Sequence, residues 1–138
     1  MIKVGCAGFP TSMKKYFKDF RLVELNSTFY QYPREKTVDG WRTKAPKDFE
    51  FTVKAHQDIS HKAKLKIEET SLQAFERMKQ ICKTLNSKIL LIQTLGSLRL
   101  DKLVDAQKFF REAKRENLIL VWETRGPDIQ QPTNIVSP

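Results

Sequence analysis

Five short apolar runs, separated by stretches of helical periodicity, recur along this chain, and that alternation limits the fold more than any other feature. The runs are Ile2-Lys3-Val4, Leu22-Val23-Glu24-Leu25, Phe49 to Val53, Lys88 to Gln93 and Leu118 to Trp122. Four helices are expected between them. The first spans Met13 to Phe20, capped by Thr11 or Ser12, with Tyr16, Phe17 and Phe20 on one side. A second starts at Thr37 and presents Trp41, and a third, capped by Thr70 or Ser71, buries Leu72, Phe75, Met78, Cys82 and Leu85. The fourth runs from Asp101 and carries Leu103, Val104, Ala106, Phe110 and Ala113. Strands alternating with helices pair in parallel through right-handed crossovers, so the chain reads as α/β with about five strands and four helices. Part of an eight-stranded barrel and an open, doubly wound five-stranded sheet both satisfy this order. One domain is expected over residues 1–125, followed by an irregular, proline-containing tail over 126–138. Gln57 to Glu69 reads as a long, polar, basic loop.

The second run carries an anomaly. Glu24 interrupts the apolar residues of a strand that continues into Asn26, Ser27 and Thr28, and alternation puts Glu24 and Asn26 on one face. Ligand-binding groups collect at the carboxyl ends of parallel strands. The ends of the other runs are polar too: Lys54 and His56 follow the third, Gln93 closes the fourth, and Glu123 and Arg125 follow the fifth. Adjoining loops add Tyr30 and His61. In one reading Arg125 and Lys54 hold an anionic group while Glu24 or Glu123 moves a proton. Catalysis would then rest on Glu24, Lys54 and Glu123, with Asn26, Tyr30, His56, His61, Gln93 and Arg125 binding substrate. In the plainer reading, Glu24 with Lys54 and Glu123 with Arg125 form a polar network that fills the mouth of the fold. Glu24, His56 and Glu123 are the available metal ligands, but no His-x-x-x-His or carboxylate cluster requires an ion, and neither metal nor cofactor is expected. Phosphate-loop and nucleophile-elbow signatures are missing.

Composition narrows the partners. Twenty-five Lys and Arg against 16 Asp and Glu give a net charge of +9, spread along the chain. The densest basic stretch is His61-Lys62-Ala63-Lys64-Leu65-Lys66, a solvated loop or a surface for a phosphate-rich partner. Aromatics Phe29, Tyr30 and Tyr32 near basic residues admit a nucleic-acid-binding module as an alternative function. Cys6 and Cys82 lie far apart in apolar contexts and are expected as reduced thiols. Without a membrane-length apolar run or a signal-peptide pattern at Met1, the expected location is the cytoplasm and no membrane partner is expected.

The strings Val4-Gly5-Cys6-Ala7-Gly8-Phe9, Val23-Glu24-Leu25-Asn26-Ser27-Thr28-Phe29-Tyr30, Phe51-Thr52-Val53-Lys54-Ala55 and Trp122-Glu123-Thr124-Arg125 resemble the YecE-like family, domain of unknown function 72. Pro33, Thr37, Trp41, His61 and Ile92-Gln93 extend the resemblance in the same order. It implies a TIM-barrel fold related to xylose-isomerase-like and endonuclease-like barrels, and no settled reaction. Ala7 stands where members usually carry Ser, and Gly126 where they usually carry His. The resemblance also implies a barrel cut after its fifth strand. Such a sheet leaves two edges and an apolar interior open, so self-association into a dimer that covers them is expected. A non-catalytic relative acting as an assembly component is the third class of function.

Overall fold

A computed structural model of the chain describes residues 1–98 and 102–125. Five strands, β1 (Gly5–Ala7), β2 (Leu22–Leu25), β3 (Glu50–Lys54), β4 (Ile89–Gln93) and β5 (Ile119–Glu123), form one sheet in chain order. Every neighbouring pair is parallel. The helices are α1 (Met13–Asp19), α2 (Ser27–Tyr30), α3 (Glu35–Lys44), α4 (Glu69–Leu85) and α5 (Leu103–Glu112). A doubly wound sheet reverses its strand order at a switch point. The sequential order here contains no reversal and is the order of barrel strands, although the five described strands leave the sheet open at β1 and β5.

Alternation along the strands separates two faces. Val23, Leu25, Phe51, Val53, Leu90 and Ile92 are buried under the helices, where they join Tyr16 and Phe17 of α1, Val38 of α3, Phe75 and Met78 of α4 and Phe109 of α5. The opposite face holds Glu24, Thr52, Lys54, Leu91 and Gln93, and its far side exposes Ile119 and Val121. Burying one stripe per strand against amphipathic helices is what drives the layers together.

The first strand lies later than Ile2-Lys3-Val4, because Leu22 opens β2 and its register partner is Gly5. Ile2 and Val4 are exposed. At Gly5 a Cβ would meet the Leu22 carbonyl oxygen at 2.2 Å, so only glycine allows that approach. The Tyr16 hydroxyl fixes the register, accepting from the Cys6 N–H and donating to the Leu22 carbonyl, both at 2.7 Å.

Further boundaries differ from expectation, among them that of α3, which starts at Glu35 rather than at Thr37. β2 stops at Leu25, because Asn26 adopts a helical conformation (φ −91°, ψ −26°) and opens the added turn α2. The expected loop after β3 contains a π-helical turn, Asp58–Lys62. α4 starts two or three residues earlier than a Thr70 or Ser71 cap implies. Glu68 is its N-cap, and Ser71, three residues on, accepts from the Glu68 N–H and closes a capping box. Asn86 ends α4 in the left-handed region at φ 54°. The expected helix start at Asp101 and the tail over 126–138 lie outside the described residues. Among the described residues no helix is long and apolar enough to cross a membrane.

Candidate functional site

The carboxyl ends of β3, β4 and β5 place three side chains in a hydrogen-bonded line. Lys54 Nζ donates to Gln93 Oε1 at 2.8 Å, and Gln93 Nε2 donates to Glu123 Oε1 at 2.7 Å. Arg125 Nε extends the line, donating to the same Glu123 oxygen at 3.2 Å. Gln93 is buried, and its two partners fix which end of the amide faces the ammonium and which the carboxylate. The line is therefore polar from end to end and presents a cation at each terminus.

Glu24, one strand further along, lies within reach of the charges of both Lys54 and Glu123. Burial pushes its carboxyl above the ordinary range; the Lys54 ammonium opposes that, and the Glu123 charge reinforces it. Glu123 goes the other way. Burial works to raise it, but the Gln93 and Arg125 hydrogen bonds, with the charges of Arg125 and Lys54, hold it below the ordinary range. Two carboxylates in one mouth are thus driven apart, a separation that suits different protonation roles.

Lys54 is held from a second side. Its ammonium lies 4.8 Å from the centre of the Phe29 ring, and the His61 ring meets Phe29 edge-on at 4.9 Å. Burial and the charges of Lys54 and Arg125 lower the His61 pKa, favouring the neutral imidazole. Ser60 Oγ lies 2.8 Å from its Nδ1. Local backbone delivers His61: the Ala63 N–H bonds the Asp58 carbonyl at 3.0 Å across the π turn. Lys64 and Leu65 then follow in the left-handed region at φ 52° and 62°, anchored by the fully buried Leu65. Neither residue takes that conformation cheaply, and such turns are concentrated at functional sites.

The remaining expected residues are dispersed. Asn26 stands at the carboxyl end of β2, on α2 rather than on a strand, and its Oδ1 is buried without a partner among the described residues. Tyr30 is exposed, with its ring edge-on to Phe29 at 5.0 Å. His56 is drawn into a separate cluster: it stacks on Tyr32 at 3.9 Å, and its Nδ1 lies 3.2 Å from Asp58 Oδ2. Tyr32 and Lys62 donate to the Asp58 carboxylate at 2.9 and 2.7 Å, and Arg77 lies over the Tyr32 ring. Burial lowers the His56 pKa. The Glu24, His56, Glu123 metal set is thereby split, and among the described residues no three His, Cys, Asp or Glu gather to hold an ion. Burial pushes the Cys82 thiol up to about 12, which leaves it a packing residue.

Sequence reasoning missed Thr28 and Phe29 as parts of the site. Thr28 Oγ1, fully buried, contacts the Leu25 carbonyl at 3.0 Å and the Lys54 carbonyl at 2.7 Å, tying α2 to the end of β3. The signal was present in Asn26-Ser27-Thr28, a run of helix-opening residues after an apolar strand.

A family model described as "Protein of unknown function DUF72" matches residues 6–135. The UPF0759 protein YecE of Escherichia coli K12 is 39% identical over 56 residues, which is 41% of this chain and 21% of that protein. Among solved structures, the DUF72 family protein EF0366 of Enterococcus faecalis V583 superposes with a TM-score of 0.70 at 24% identity, covering 96% of this chain and 55% of that one. The DUF72 family protein TM1631 of Thermotoga maritima MSB8 gives 0.62 at 28% identity, covering 82% and 45%. The chain thus spans about a fifth of the curated relative and about half of these TIM-barrel-like structures.

Proposed function

The chain belongs to the DUF72 family of proteins of unknown function, and from that premise we propose that its carboxyl-end cluster binds a small anionic substrate. The substrate is phosphorylated, carboxylated or a phosphodiester. The carrying observation is the Lys54–Gln93–Glu123–Arg125 line, in which two cations flank one firmly ionised carboxylate. The second carboxylate, Glu24, is the more readily protonated of the two, and an arriving anion meets the cations at the two ends of the line. Arg125 and Lys54 hold the anionic group, Glu123 and Gln93 orient them, and Glu24 moves a proton to or from the bound molecule. The neutral His61 beside Lys54 offers a second hydrogen-bonding group.

Calorimetric titration with inorganic phosphate, glycerol phosphate and acetate tests this reading. Arg125→Ala is expected to weaken binding by roughly tenfold or more, the value of a charge-assisted hydrogen bond. Glu24→Gln is expected to retain binding and to lose its pH dependence. Binding that never saturates, or that is equal in Arg125→Ala, would sink the proposal.

We further propose that a second copy covers the open sheet. Ile119 at 55% exposure and Val121 at 39% lie on the uncovered face of β5, next to the Glu123 end of the site. A shared interface would exclude water from that cluster and strengthen its charges. Light scattering on a size-exclusion column is expected to give a dimer, and a monodisperse monomer contradicts it. The cytoplasm belongs to the same reading, since both cysteines are free thiols and a reducing compartment keeps them so.

A further inference from the structure

Each long helix runs antiparallel to the strands, so the helix ends and the connections after them gather at the amino-terminal edge of the sheet, opposite the Glu24–Arg125 mouth. This edge is strongly basic. Lys18, Lys44, Lys83 and Arg111 occupy the last turns of α1, α3, α4 and α5, all exposed. Lys3, Arg21, Lys47, Lys88, Lys114 and Arg115, also exposed, lie in the backbone leading into the strands. The same segments hold five carboxylates, Asp19, Asp48, Glu50, Glu112 and Glu116. Ten exposed cations against five exposed anions leave an excess of five, more than half of the chain's +9, and the half-buried Arg42 in the last turn of α3 adds one more.

Pairing does not account for them. Among the described residues the one ion pair made by these ten cations joins Lys3 to Glu50, while Glu116 is already engaged by Lys79. Helix dipoles account for only part. Cations in a last turn complement the carbonyl end of their helix, but the effect fades beyond that turn. Lys47, Lys88, Lys114 and Arg115 stand past the helix ends, where gathered like charges repel one another with no local return.

Their arrangement is linear. Because the strands pair in chain order, Lys3, Arg21, Lys47 and Lys88 lie within three residues of the starts of four adjacent strands, a row of about 15 Å at the usual strand spacing, and Lys114 follows the C-cap of α5. The helix-end cations form a second row outside it. We propose that this edge docks the phosphodiester backbone of nucleic acid, without reading its sequence. Charges spaced along a line match a linear polyanion, and the exposed aromatic among the large apolar side chains, Tyr30, lies at the opposite end. Contacts are therefore to phosphates rather than to stacked bases, and a duplex is an adequate partner.

Fluorescence anisotropy with a labelled mixed-sequence DNA duplex of about 24 base pairs, titrated from about 25 to 200 mM salt, tests the proposal. Wild-type chain is expected to bind with log affinity falling linearly with log salt. Replacing Lys44, Lys47, Lys88 and Lys114 with Gln is expected to weaken binding at least tenfold and to flatten the slope by about 3 to 4. These side chains are exposed, and circular dichroism checks the fold; the milder pair Lys47→Gln with Lys88→Gln is expected to flatten the slope by about 2. A control with Lys62, Lys64 and Lys66 changed to Gln at the opposite end stays within about twofold of wild type. The proposal is overturned by no binding at the lowest salt, by an unaltered slope in the four-site variant, or by equal losses in the control. Binding to phosphatidylserine vesicles without binding to the duplex would also overturn it.

Discussion

Gln93 and Glu123 are register partners on β4 and β5, and their side chains meet at 2.7 Å with the amide donating to the carboxylate. The same amide accepts from Lys54 on β3, so one buried glutamine couples three strands at the mouth of the fold. A leucine at this position would keep the volume and break both links. Gln93→Leu is expected to weaken phosphate binding by roughly tenfold, while costing about 1–3 kcal/mol of stability through the partners left unsatisfied. Calorimetry and urea denaturation separate the two effects, and unchanged binding would mean that Gln93 does not orient the cations.

Glu24 opposes stability at neutral pH. Its folded pKa lies above the unfolded value, so the folded state holds the proton more tightly. The stability that the bound proton lends the fold is fully present below the unfolded pKa and is lost as pH rises through the folded one. Glu24→Gln is therefore expected to raise the melting temperature at pH 7 and to leave it nearly unchanged at pH 4. A lower melting temperature at pH 7 would show instead that the charged carboxylate is a structural ion-pair partner.

The strand-helix alternation, the four long helices and the polar strand ends could be read from the sequence, because periodicity and capping are local. For that reason the sequence places Lys54, Gln93, Glu123 and Arg125 at one mouth, where their side chains form the hydrogen-bonded line. His56 was legible only as a residue past a strand end; its turn towards Tyr32 and Asp58 depends on the π turn, which carries no sequence signature of its own. Ile2 and Val4 have strand character and suggest an earlier first strand, whereas the partner that decides the pairing, Leu22, faces Gly5. Strand alternation alone puts Asn26 on the face of Glu24, and its helical backbone conformation reflects the local preference of Asn-Ser-Thr for opening a turn.

At Gly5 the backbone leaves no room for a side chain. A methyl group would overlap the Leu22 carbonyl, which is backbone and cannot swing aside. Gly5→Ala is expected to cost about 1–3 kcal/mol, the usual penalty of overpacking, and to loosen β1 from β2. Urea denaturation with hydrogen exchange at Cys6 reads both, and wild-type stability would show that β1 is free to shift.

Thr28→Val retains shape and removes the hydroxyl bonded between the Leu25 and Lys54 carbonyls. A loss of about 1–3 kcal/mol is expected, with Thr28→Ser recovering most of it. Equal behaviour of Val and Ser would assign the position to packing alone.

The most direct test of the anion site is an amide-resolved NMR titration of the isotopically labelled chain with inorganic phosphate. Saturable shifts are expected at Lys54, Gln93, Glu123 and Arg125, with smaller ones at His61, and all should vanish in Arg125→Ala. Shifts confined to the basic edge around Lys47 and Lys88, or none that saturate, would contradict an anion site at the carboxyl ends of the strands.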